Sequence, residues 1–136
     1  MLRRDRMRRA WAGRAASEWS RRVIPMRALW LALALLPYAA LAGFDAWLHE
    51  KSRQVPIVEK WLHGGLALSL IVFVGAAFRG ERTLALLALG ALVPLAAYDE
   101  IGFHGTLAMR ERRVHFASYA ALGVFVSAWL WLGSGP

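Results

Sequence analysis

Residues 28–48 read ALWLALALLPYAALAGFDAWL, twenty-one positions with one charged side chain, Asp45, close to the far end. An α-helix rises about 1.5 Å per residue, so a run of ~20 apolar residues matches the ~30 Å hydrocarbon layer of a bilayer. Pro37 lies inside this run and predicts a bend without a break, because neighbouring groups can satisfy the carbonyl it frees.

Three further segments follow the same rule: residues 57–78, residues 83–104 with Pro94 inside, and residues 112–132. They are separated by turns at Lys51–Pro56, at the basic stretch Arg79–Arg82, and around residues 105–111. The expected fold is all-α: an integral membrane four-helix bundle, up-down-up-down, made of two hairpins over residues 28–78 and 83–132 within a bundle domain of residues 25–136. Residues 1–24 mix arginines with Leu2, Met7, Trp11 and Trp19. They read as a basic amphipathic interfacial arm, a helix in the headgroup layer with its tryptophans toward lipid. The basic run is too long, and the apolar stretch after Pro25 too extended, for a cleaved signal.

Composition points the same way. Of the 136 residues 58% are hydrophobic and seven are tryptophan, too apolar for a water-soluble domain of this length. There is no cysteine. Disulfides, iron–sulfur clusters and thiolate zinc sites are therefore excluded, and any metal must be held by oxygen and nitrogen.

The formal charge of +8 is uneven, with nine of the seventeen basic residues lying before Ala28. Beside a long apolar span, such an arm is expected to touch anionic headgroups; nucleic acid is not an expected partner. The arm with Arg79 and Arg82 carries eleven basic residues, whereas Lys51, Arg53, Lys60, Arg110, Arg112 and Arg113 make six on the other side. The positive-inside rule then predicts cytoplasmic termini in a bacterial inner membrane, with both remaining turns toward the periplasm. Trp47 and Trp61 at the outer ends, and Trp30, Trp129 and Trp131 at the inner ends, are expected in the aromatic belts.

Every histidine has a carboxylate four residues before it: Asp45 and His49, Glu59 and His63, Glu100 and His104, Glu111 and His115. Residues i and i+4 share a helix face, so each pair can aim an oxygen and a nitrogen at one point. Composition alone would produce all four pairs about twice in a hundred thousand chains. Asp45 with His63 and His49 with Glu59 are symmetric about residue 54; Glu100 with His115 and His104 with Glu111 are symmetric about the Leu107–Ala108 bond. Hairpins reversing at those centres set acids level with histidines at two heights, with Asp45, His63, Glu100 and His115 the deeper layer.

Intramembrane charge costs about 3 kcal/mol or more per group, so something must compensate for it. A salt-bridge network with Lys60 and the arginines near Glu111 would do so by fixing helix register. Four matched pairs favour metal instead, because oxygen and imidazole together suit borderline divalent ions. The expectation is two metal ions on all eight residues: iron first, with manganese and zinc suiting the same donors. Soluble ferritin-like di-iron proteins also line four helices with acids and histidines, but on a Glu-x-x-His spacing, so the likeness is one of chemistry alone.

Tyr38 and Tyr119 fall on the ligand stripes but deeper, as core residues or redox partners. Tyr98 and Asp99 are expected to point away from the site, with Asp99 the substitute ligand should the helix be rotated by one position. The functional expectation is a di-metal oxidoreductase or electron carrier acting on a lipid-soluble substrate. The alternative is an accessory subunit of a larger membrane complex that binds haem or pigment, handles metal, or is structural. For haem the four acids have no role.

Overall fold

The computed structural model describes residues 26–48, 51, 56–103 and 109–133. The interfacial arm and His49 and His104 lie outside the described residues, as does most of the two turns that precede α2 and α4. The four helices are α1 (Met26–Leu48), α2 (Ile57–Arg79), α3 (Arg82–Phe103) and α4 (Met109–Leu132), all long and apolar enough to cross a membrane. They form a four-helix bundle, and the chain is a multi-pass membrane protein. α1 runs unbroken through Pro37 and α3 through Pro94.

The α2–α3 reversal is set by local chemistry. Gly80 takes a left-handed conformation (φ 79°). Its N–H donates to the Ala77 carbonyl at 3.3 Å, and the Glu81 N–H donates to that of Ala76 at 2.9 Å. This is the paired closure that lets a glycine end a helix with its carbonyls satisfied. The Ala85 N–H already donates to the Glu81 carbonyl at 3.0 Å, so α3 begins at once. A reversal of two residues forces α2 and α3 to run side by side.

The apolar core fills the half of the bundle nearest that turn. It comprises Leu31 of α1, Phe73, Ala76 and Ala77 of α2, Ala85 and Ala88 of α3, and Phe125 and Trp129 of α4. The alanines allow the α2 and α3 backbones to approach closely, which is how helices gain contact in lipid. Phe73 is the hub, edge-to-face with Phe125 at 5.7 Å and with Trp129 at 5.4 Å between ring centroids. Trp129 is thus a core residue and not part of the inner belt, because it lies on the buried α4 face of Ala121 and Phe125. Trp30, Trp47, Trp61 and Trp131 are exposed at the helix ends as belts require.

Outside the core the surface is apolar: Leu36, Ile71, Leu87, Val93, Ile101 and Val124 all face outward. Apolar side chains outside with ionisable ones inside is the arrangement that lipid as a solvent selects.

A side chain at position 80 would be held at positive φ, so Gly80→Ala is expected to lower stability by about 1–2 kcal/mol. Gly90→Ala, whose Cβ would meet open space within α3, should leave stability unchanged or raise it. Unfolding midpoints in mixed dodecyl sulfate and maltoside micelles measure both; equal midpoints for the two variants would contradict the assigned turn.

Candidate metal centre

Beyond Leu92 and Ala121 the interior changes character. Among the described residues, every buried side chain from there to the end of the bundle is ionisable or hydroxylic: Glu59, Asp99, Glu111, His115 and Ser118. Asp45 and Glu100 are largely buried with them, and His63 is about one-third exposed. All four helices contribute.

Helix ends explain part of the placement. Glu59 and Glu111 stand in the first turns of α2 and α4, where free N–H groups favour a carboxylate. Asp45 and Glu100 each lie three residues from the carboxyl end of their helix, where the dipole disfavours negative charge. With every carboxyl ionised, these five acids and two imidazoles carry a net −3 even if both rings are protonated. Lys60, Arg110, Arg112 and Arg113 are exposed. A cation within the cluster would relieve that charge at its source.

One part of the cluster has the spacing of a coordination shell. Glu59, His63 and Asp99 each offer one ligand atom, all within 4.8 Å of one another. His63 Nε2 stands 3.4 Å from Asp99 Oδ1 and 3.9 Å from Glu59 Oε1. Donors at ~2.1 Å from one ion, set on a tetrahedron, are about 3.4 Å apart, whereas a charge-assisted hydrogen bond closes to ~2.8 Å. The residues present therefore fit a small divalent ion.

The other part is a hydrogen-bonded line. His115 Nδ1 lies 2.8 Å from Asp45 Oδ2, and its Nε2 lies 2.8 Å from the Tyr119 hydroxyl and 3.3 Å from Glu100 Oε2. A carboxylate on one ring nitrogen fixes which way the other points, as outer carboxylates do for metal-bound histidines. Asp45 thus aims His115 Nε2 at Glu100 and Tyr119. The Ser118 hydroxyl donates to the His115 carbonyl at 2.7 Å, which holds the α4 turn beneath the ring.

Of the eight residues expected from sequence, six lie among the described residues. Glu59 and His63 converge, and Glu100 meets His115 across the second hairpin as the symmetry predicts. Asp45 reaches the other hairpin, to His115, so the acids tie the two hairpins together as well as the helices within each. Glu111 is buried on the His115 face of α4.

Asp99, expected to point away, is only 2% exposed and faces His63, whereas Tyr98 is 60% exposed. Consecutive helical residues are about 100° apart, so Asp99 turns toward α2 while Glu100 turns toward α4. α3 therefore serves both parts of the cluster. The signal was present in the sequence as the doublet Asp99-Glu100, two acids where each of the other pairs has one.

Because the chain has no cysteine, single substitutions report this geometry directly. Tyr98→Cys is expected to react with a membrane-permeant maleimide and Asp99→Cys to be protected, by about tenfold or more in rate. Equal labelling would mean that α3 is rotated from the orientation described.

No protein-family model, curated protein or solved structure matches this chain.

Proposed function

We propose that this protein is a membrane-embedded metalloprotein with a dinuclear centre, iron in both positions, acting as an oxygen-linked oxidoreductase or electron carrier on a lipid-soluble substrate. The observation that carries the reading is the convergence of Glu59, His63 and Asp99 at coordination spacing, one helical step from the Glu100–His115 pair. Manganese and zinc suit the same donors, but only iron and manganese would supply a redox couple. Glu59, His63 and Asp99 would hold one ion. Glu100 and His115 would hold the other, with Glu111 on the His115 face of α4; Asp45, His49 and His104 are the remaining residues of the set proposed from sequence.

The protein's own groups define what each does. Asp45 accepts from His115 Nδ1–H and so keeps Nε2 directed into the site. The Tyr119 hydroxyl, on the lipid-core side of His115, stands 2.8 Å from Nε2; it can donate to that single lone pair in the ion-free site and would turn to another acceptor once Nε2 bound an ion. The part-exposed His63 edge, beside Gly64, leaves an approach for a small or lipid-soluble molecule. In a bacterial inner membrane, this charge distribution would put the termini in the cytoplasm and the centre toward the periplasm. The exposed apolar faces suit lipid, or neighbours in a larger membrane complex.

A second reading has its own support. His115 has both ring nitrogens within 2.8 Å of hydrogen-bond partners, which is also how a purely structural polar network would satisfy it.

Metal analysis of the full chain purified in detergent separates the two. The metalloprotein reading expects about two ions per chain, because a preformed site retains its metal. His63→Ala and His115→Ala should each lose at least one, and Asp45→Asn should weaken retention about 10–100-fold. Full metal content in both histidine variants, or fewer than about one ion in the parent chain, removes the metal centre. Dioxygen uptake by the ferrous-loaded protein tests the redox part: uptake no faster than that of free ferrous ion leaves metal binding without oxidoreductase activity.

A further inference from the structure

At the end of the bundle opposite the metal centre the helices enclose a second polar site. A cavity of about 70 Å³ lies there, lined by Arg27, Gly80, Arg82, Trp129, Leu130 and Gly133. From these residues we infer a specific site for the phosphate of an anionic lipid headgroup, held by Arg27 and Arg82.

Arg27 enters the cavity from the first turn of α1, between the carboxyl ends of α2 and α4. Its Nη2 donates to the Ala77 carbonyl at 3.4 Å. Its Nη1 would stand 3.4 Å from a Cβ placed on Gly80, so the glycine leaves the guanidinium just enough room. Nε is buried and meets no acceptor among the described residues.

Helix capping accounts for only part of this arginine, its Nη2 contact to Ala77. The carbonyls of Ala76 and Ala77 already accept from the Glu81 and Gly80 N–H groups, and that of Trp129 accepts from the Gly133 N–H at 2.9 Å. Among the described residues, Nε is left for another acceptor. Arg82, the first residue of α3, is exposed and also lines the cavity, so a second arginine stands within reach of it. Glu81, the nearest acid in sequence, is exposed and not part of the cavity lining.

A partly buried guanidinium fork with a second arginine beside it suits phosphate oxygens, and partial desolvation strengthens the pairing. The location selects the source of the phosphate. Trp30 and Trp131, on the same ends of α1 and α4, face outward, which sets the cavity at headgroup level. Basic pockets between transmembrane helices at that level take anionic headgroups. The cavity has room for a phosphate alone, so the acyl chains would lie along the exposed faces of α1 and α4.

The test uses the full chain in maltoside micelles. Phosphatidylglycerol and phosphatidylcholine are added at equal mole fraction, and retained lipid is counted by native mass spectrometry, with and without inorganic phosphate. One phosphatidylglycerol per chain should be retained, at least about fivefold over phosphatidylcholine, the ratio to which ~1 kcal/mol corresponds. Arg27→Gln should abolish the preference. Arg82→Gln, at an exposed position where folding is not at stake, should reduce it severalfold. Displacement of the lipid by inorganic phosphate supports recognition of the phosphate itself. Equal retention of the two lipids, an unchanged preference in Arg82→Gln, or retained inorganic phosphate without phosphatidylglycerol enrichment would overturn the assignment.

Discussion

Five carboxylates and two imidazoles held inside a bundle whose outer surface is Leu, Ile and Val set the terms for everything else in this molecule. Lipid gives such groups no solvent, so each must be answered by another group of the bundle or by a bound cation. That requirement decides the asymmetry of the interior. Near the Gly80 turn, aromatic rings and alanines pack as in any helical core, with Phe73 at the centre. At the far end the space that leucine or phenylalanine would fill is taken by Glu59, Asp99, Glu111 and His115. A protein needing only stability could have filled that end with apolar side chains at less cost, since replacing buried ion pairs by packed apolar groups is often stabilising. The polar end is thus the part of the bundle that stability alone does not explain.

The two ends also divide the labour of holding the helices together. The tight reversal at Gly80 and the small side chains of Ala76, Ala77, Ala85 and Ala88 fix α2 against α3. The acid and histidine contacts then bind α1 to α4 through Asp45 and His115, α2 to α3 through His63 and Asp99, and α3 to α4 through Glu100 and His115. If ions bind there as we propose, their loss would loosen one end of the bundle before the other, since the apolar half makes no use of them.

Much of this was legible in the residues. Apolar runs of membrane length, with Gly80 and the basic stretch between them, locate the helices to within about three residues, because hydropathy in lipid has few competing solutions. The i, i+4 pairing of every histidine with an acid pointed to one end of the bundle for the same reason. What periodicity did not reveal was rotation. Asp99 and Glu100 are neighbours on one helix, and a single ligand stripe admits only one of them; that α3 lies between two partners and uses both is a fact of three-dimensional packing. The same holds for Asp45, matched by symmetry to His63 but seated on His115, and for Trp129, placed by composition in the belt and by packing in the core.

On our proposal, this polar end of the bundle holds cations. X-ray absorption at the metal edges of the purified protein in its membrane mimic tests it most directly, because it reads the element and its neighbours together. The account predicts an iron edge, or one from manganese or zinc, with a shell of nitrogen and oxygen at about 2.0–2.2 Å and outer scattering from imidazole carbons. A chain that folds with all four helices in place and shows no metal edge, or only the six-oxygen shell of a hydrated ion, would contradict it.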